Sequence, residues 1–296
     1  MVSAEHTTTP AVRGRRRRAG PRTRPRAASL ALHGVLLCAS GAAVLPVVWI
    51  VLTSLKPRGA WQSTRIELFH DPSPANYVQV LGSTSFLTWF ANSLVVAGGT
   101  TALALLLAAT TGYALSRFRF PGMRPLLWTL LVTQMFPVAI LIVPLYNVLS
   151  GLGLINTHLG LTLTYLTIAV PFSAWMLRGT FDTIPVEIDE AGRVDGLSPL
   201  GTFWRLVLPL ARPGLAVVAF YAFITAWGEV AYATAFLTTD ATATLAVGLG
   251  QFVGQQKAEW GMLSAASVLI AAPATVVFLL VQRHLVAGLA AGSGKS

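Results

Sequence analysis

Charge is what this sequence has least of. Of 296 residues only 11% are Asp, Glu, Lys or Arg, against about 25% in a soluble domain. That shortage, beside 54% hydrophobic residues, excludes an ordinary water-soluble domain and places the chain among integral membrane proteins. Cysteine is nearly absent too. Cys38 is the single copy and sits in an apolar stretch, which excludes a disulfide framework and a thiolate metal site. His33, His70, His158 and His284 lie at no metal-ligand spacing, and no nucleophile stands beside a base, so neither a metal centre nor a catalytic residue is expected. The net charge of +10 does not point to nucleic acid, because eight of the 21 basic residues crowd into positions 13–26. Such a run reads as a disordered cytoplasmic tail, residues 1–29, drawn to anionic membrane lipid and holding the N-terminus inside.

What is abundant is uninterrupted apolar sequence. Residues 27–55 hold no charge over 29 positions. A bilayer takes about 20 residues of helix, whereas a signal-peptide core takes about 7–15, so this is a retained first span. Residues 125–177 hold no Asp, Glu, Lys or Arg over 53 positions. That is two spans broken at residues 150–158, where Gly151, Gly153 and Asn156 supply turn chemistry. The pattern predicts an all-α, polytopic membrane bundle with six transmembrane helices near 30–54, 87–115, 125–148, 159–177, 214–237 and 261–281. Pro46, Pro137, Pro144, Pro171 and Pro273 fall in or near these spans, which suits a packed bundle whose neighbours re-satisfy freed carbonyls.

Six spans place both termini on one side, and the basic residues test that arrangement. Seventeen Lys and Arg fall on the side of the termini; Lys56, Arg58, Arg65 and Lys257 fall on the other. The positive-inside rule therefore puts both termini, the loop at 116–124 and the loop at 178–213 in the cytoplasm. Residues 56–86 form the longest outside segment, a connector or a surface for a soluble partner.

The polar loop is the most informative stretch. Pro185 suits a first helical turn, and Glu187, Asp189 and Glu190 suit a helix N-terminus. Val186, Ala191 and Val194 make a short apolar stripe, and the small Ala191 and Gly192 allow another surface near the backbone. Asp195-Gly196 is a stop signal. Ser198-Pro199 reads as the cap and first turn of a second helix running to Leu208, with Pro209 opening the next span. Helix, glycine hinge, helix describes either a unit that passes force between a docked partner and the bundle or an ordinary amphipathic loop.

The spacing Glu190-Ala191-Gly192, Gly196, then Leu206-Val207-Leu208-Pro209 resembles the EAA motif of binding-protein-dependent ABC importer permeases, with Gly192 for the second Ala and Leu206 for Ile. TGYALSRFRFPG (111–122), VPLYNVLSGLGLINT (143–157), TLAVGL (244–249) and the C-terminal stretch 282–296 are similar to the MalG-type carbohydrate permease subfamily. One departure is Trp227-Gly228-Glu229, where relatives have Trp-Asn-Glu. The resemblance implies a MetI-like permease fold over residues 30–285, a coupling loop at 183–209 and a cytoplasmic tail at 286–296. It implies a non-catalytic subunit of the bacterial inner membrane that binds no cofactor, with ATP and Mg acting in partner subunits. The implied partners are a homologous second permease, two cytoplasmic ATPases and an extracytoplasmic sugar-binding protein. The implied ATPase-docking residues are Glu190, Ala191, Gly192, Asp195, Gly196 and Pro209, with 288–296 as a second contact. The implied cargo is a di- or oligosaccharide such as maltose or trehalose.

The terminal GSGKS lacks the first glycine of a phosphate loop, since position 289 is Leu, and no strand–helix frame surrounds it; the chain needs a motor from elsewhere. Glu229 is the sole acid deep in an expected span and is a functional candidate by position, although the favoured reading is a bundle-facing carboxylate hydrogen-bonded to a neighbouring helix. Gln134, Asn147 and Thr225 either line a sugar path or join helices. The competing class is a stand-alone secondary carrier or membrane enzyme, which needs converging acids, histidines or a metal cluster in the spans.

Overall fold

The computed structural model describes residues 26–57, 72–82, 84–252 and 259–293, with side chains from 29 to 284. The basic run at 13–25, most of the outside connector and the last three residues lie outside the described residues. Two units divide the chain, residues 1–48 and 49–296. The first contributes most of α1 (Arg26–Ser54), which carries Pro46. Its described side chains are exposed from Leu30 to Val48, as an all-round apolar helix in lipid would be.

In the second unit α2 (Ala75–Gly82) lies against the start of the last long helix, α13 (Trp260–Ser293). Asn76 ties it to the end of α1: its amide donates to the carbonyls of Ser54 and Lys56, both at 2.9 Å. The centre of the bundle is α3 (Phe86–Arg117) packed along α6 (His158–Asp182). The reason is a pair of stripes with a four-residue repeat. On α3, Val96, Thr100, Ala104 and Ala108 are buried, and Gly112 continues the row; on α6, Leu161, Tyr165, Ala169, Ser173, Leu177 and Phe181 are buried. Small residues at such spacing let helix backbones approach where lipid supplies no hydrophobic drive. Ala222 of α10 (Arg212–Gly228) joins Ala104 and Ala169 to make a narrow waist. An aromatic core containing Trp89, Tyr165, Trp227 and Tyr232 lies to one side of it, and a smaller core around Phe181, Phe203 and Val218 lies to the other.

Among the described residues there are no strands, and four helices are long and apolar enough to cross a membrane; six spans result if each of two bent pairs counts as one. The first bent pair covers the span expected at 125–148. It consists of α4 (Met123–Thr133) and α5 (Val138–Gly151), bent by 106°. Pro137 stands at the break with extended backbone (φ −60°, ψ 132°), because a proline cannot donate the N–H that would continue α4. The second corrects the start of the fifth span. After α7 (Glu187–Val194), the short α8 (Pro199–Thr202), a π turn at Phe203–Val207 and α9 (Leu208–Leu210) form one rod, which meets α10 at 83°. Pro209 lies inside that rod; Pro213, in the first turn of α10, opens the span instead.

The far end of that span differs as well. Helix α10 stops at Gly228, Glu229 is extended (φ −76°, ψ 128°), and α11 (Ala231–Phe236) is separate, followed by α12 (Leu245–Leu249). Helix α13 runs on through 286–293, which the sequence reading placed in the C-terminal tail.

Candidate functional site

The loop at 183–209 is built from the short helices the residues predict. Ser198 accepts from the Gly201 N–H at 3.1 Å, with Pro199 in the first turn of α8. At the end of α7 the Leu197 N–H donates to the Gly192 carbonyl at 2.9 Å and the Gly196 N–H to the Arg193 carbonyl at 3.0 Å. This is a Schellman closure, and it needs φ of +79° at residue 196, a conformation open to glycine at little cost.

What holds the loop to the bundle is a contact that sequence reasoning missed. Asp189 was counted only as an acid favoured by the helix dipole, and Arg117 only as a topology marker. They form an ion pair, Nε to Oδ2 at 2.8 Å, with side chains 8% and 7% exposed. The Tyr113 hydroxyl donates to the other carboxylate oxygen. The rest of the Arg117 fork donates to the carbonyls of Phe181 at 3.1 Å and Ile184 at 2.9 Å, groups left over where α6 ends. One guanidinium thus ties the ends of α3 and α6 to the start of α7. The Tyr113 ring packs on Phe203 with centroids 4.7 Å apart, which adds the second half of the loop. The available signal was the recurrence of Tyr113, Ser116 and Arg117 one helical turn apart in TGYALSR.

The expected docking residues separate into two sets. Glu190, Ala191, Asp195 and Gly196 are exposed on α7 and its cap, and Pro209 is half-buried at the far end of the rod. Gly192 points inward. A Cβ there would lie 2.7 Å from Thr202 Oγ1, 2.8 Å from its Cγ2 and 3.1 Å from Leu206 Cδ1, so the surface that approaches this glycine is the chain's own α8 and π turn. Gly192→Ala, although it gains about 1 kcal/mol of helix propensity, is expected to lose about 1–3 kcal/mol to overpacking. Chemical-denaturation midpoints should rank the Gly192→Ala/Thr202→Ala double variant above Gly192→Ala alone. Equal midpoints would show that the contact is not tight.

Glu229 is hydrogen-bonded to a neighbouring helix. Its carboxylate accepts the Tyr165 hydroxyl of α6 at 3.0 Å and the N–H groups of Tyr232 and Ala233 at 3.0–3.2 Å, which satisfies the first turn of α11. Gln134, at the 106° bend, donates to the Ile168 carbonyl at 3.1 Å and lines a cavity of about 390 Å³ that Tyr232 also lines. Of the three expected path residues only Gln134 lines that cavity: Glu229 accepts from the backbone N–H of Tyr232, and Asn147 is exposed on α5.

On the opposite face, Asn156 does more than turn the chain. At φ +60°, its side-chain oxygen accepts from the backbone of Thr238 at 3.0 Å and the hydroxyl of Thr242 at 2.6 Å, pinning the 150–158 break to the loop after α11. Asp240 anchors the same loop to α3. Hydrogen bonds from Ser85, Gln251 and Trp89 hold its carboxyl below the usual range, so it stays ionised.

Comparison with known proteins gives one answer. The profile of the family described as "Binding-protein-dependent transport system inner membrane component" matches residues 101–290. The trehalose transport system permease protein SugB of Mycobacterium tuberculosis is 35% identical over 260 residues, 86% of this chain and 93% of that one. The maltose/maltodextrin transport system permease protein MalG of Vibrio vulnificus is 42% identical over 215 residues, 71% of this chain and 72% of its own. In fold, the chain superposes on the crystal structure of a bacterial ABC transporter that imports the polysaccharide alginate, with a TM-score of 0.77 at 23% identity, covering 87% of this chain and 96% of that one. With its apolar, bent-span helix bundle and its match over most of the length of these relatives, the chain belongs to the binding-protein-dependent transport system inner membrane components and is a multi-pass inner membrane protein.

Proposed function

We propose that this chain is one of two permease subunits of an ATP-driven importer that carries a di- or oligosaccharide into the cytoplasm. The observation that carries the docking part of this reading is the outer face of the coupling loop. Val186, Val194 and Leu200 are 53%, 87% and 68% exposed on short helices rigidly tied to the bundle through Arg117. Apolar side chains presented together on a polar loop mark a surface that a partner covers. The partner is a cytoplasmic ATPase, two copies per transporter, which hydrolyses ATP with Mg; closure of the pair would push α7 and, through Asp189 and Arg117, the ends of α3 and α6. A homologous second permease and an extracytoplasmic sugar-binding protein complete the assembly; a solved relative of 15% identity is described in complex with a pentasaccharide-bound periplasmic protein. The names of the similar permeases, for trehalose, maltose/maltodextrin, diacetylchitobiose and galactooligosaccharides, support carbohydrate cargo, with maltose and trehalose as the sugars to try first.

Val194→Glu tests the docking surface, since a side chain 87% exposed tolerates the change without unfolding. Mild-detergent extraction of the wild-type chain should bring down an ATPase, and Val194→Glu should release it. In proteoliposomes, uptake of labelled trehalose or maltose should need ATP and the binding protein. Uptake that survives ATP depletion but collapses with the proton gradient would replace this reading with that of a stand-alone secondary carrier.

A further inference from the structure

A second cavity opens where α3 ends and α4 begins. Its volume is about 690 Å³, and its walls include Arg119, Arg124, Arg178, Phe120, Met123 and Leu127. No acid lines it. The side chains of Arg119 and Arg124 make no hydrogen bond or ion pair with any described residue. Arg178 reaches only Asp182, at 3.6 Å, and its buried Nε has no hydrogen-bond partner. Asp182 is in turn engaged by the Ser116 hydroxyl at 2.6 Å. Three guanidinium groups around one hollow repel one another, and a buried donor without an acceptor costs free energy. A group with several anionic oxygens satisfies both, and phosphate matches the planar fork of arginine.

The rest of the site selects the form in which that phosphate arrives. The rest of the lining includes the apolar Phe120, Met123 and Leu127, and α4 also exposes Leu126, Trp128 and Val132, which are 40%, 68% and 46% exposed. A helix of 32 residues such as α3 is about 48 Å long, more than the hydrocarbon core of about 30 Å, so its end and the following Arg119 reach headgroup level. Cationic groups at that level beside an acyl-chain surface describe an amphipathic ligand. We propose that this cavity binds the headgroup phosphate of an anionic phospholipid, with Arg119, Arg124 and Arg178 as its ligands. The charge bias of the loops assigns it to the cytoplasmic leaflet.

The test uses the purified full-length chain in nanodiscs of phosphatidylcholine doped with phosphatidylglycerol, with native mass spectrometry counting retained lipid. The wild type should retain phosphatidylglycerol over phosphatidylcholine. Each Arg→Gln change at 119, 124 or 178 should weaken retention about fivefold, and the triple variant should abolish the preference. Arg205→Gln, an exposed arginine outside the cavity, should change nothing. Arg→Lys at the same three positions keeps the charge and should retain part of the preference, which separates lost binding from lost folding. Undiminished phosphatidylglycerol retention by the triple variant, or equal retention of both lipids by the wild type, would overturn the proposal. So would displacement of the lipid by millimolar inorganic phosphate, which would make this a site for the free anion. Loss of ATPase copurification with lipid retention unchanged would assign the arginines to a protein partner instead.

Discussion

Asp189→Ala is expected to disconnect the coupling loop from the bundle. It leaves the Arg117 guanidinium, 8% exposed, without its counter-ion, and stranding one member of a buried pair costs on the order of 3–5 kcal/mol. In a chain of this size that lowers a thermal midpoint in detergent by on the order of 10 °C. The functional consequence should be larger than the thermal one. With α7 loosened, ATPase activity in the assembled transporter should persist while sugar transported per ATP falls. Asp189→Asn keeps a hydrogen-bond acceptor and should be milder. Arg117→Lys keeps the charge but cannot reach Asp189 and the Phe181 and Ile184 carbonyls together, so it should resemble Asp189→Ala more than Asp189→Asn does. The decisive comparison is the Arg117→Met/Asp189→Leu double variant. Removing both charges avoids the stranded ion, so stability should recover relative to either single change while coupling stays impaired. If the double variant is destabilised by the sum of the two single changes, the pair is not coupled and the anchor is misassigned.

The parts of this molecule that the sequence announces are the parts set by local chemistry. Charge-free runs place the four long spans because burying an ionised side chain in lipid is costly wherever it occurs. Ser198, Pro199 and Gly196 mark helix ends because caps act within a few residues. The bends at Pro137 and Ala211 were not readable in the same way. Prolines inside α1, α5, α6 and α13 are carried within continuous helices, so proline alone does not tell a break from a tolerated kink. The Asp189–Arg117 pair was hidden for another reason. Its members lie 72 positions apart, and each has a sufficient local explanation, a helix dipole for one and membrane topology for the other. The inward turn of Gly192 was hidden too, because a small residue allows close approach from either side and only the position of Thr202 decides which. The loop at 183–209 was thus legible as an outline, while the contacts that hold it to the bundle were not.

Gly112→Leu should have a large effect on the bundle, and it connects the fold to that loop. A Cβ at 112 would stand 3.0 Å from the Ala174 carbonyl oxygen, 3.0 Å from the Arg178 nitrogen and 3.1 Å from Leu177 Cβ. Two of these three are backbone atoms of α6, which cannot turn aside as a flexible side chain does. Leucine adds three carbons beyond that Cβ, so α3 and α6 must part along their main interface, at an overpacking cost of about 3 kcal/mol or more. The protein should fail to accumulate in the membrane or should melt below growth temperature. Gly179→Leu, where an added Cβ meets nothing within 4 Å, is the matched control and should accumulate normally. Gly112→Ala is the informative intermediate. It asks the helices to separate by only a few tenths of an ångström, so the chain should fold. Tyr113 and Arg117 lie within the next turn and a half of α3, however, and a shift there moves the donors that grip Asp189. Gly112→Ala should therefore show a milder form of the loss of sugar moved per ATP expected of Asp189→Ala, although residue 112 is not one of the exposed residues of the loop. Normal coupling in a folded Gly112→Ala variant would mean that the α3–α6 spacing does not set the position of α7.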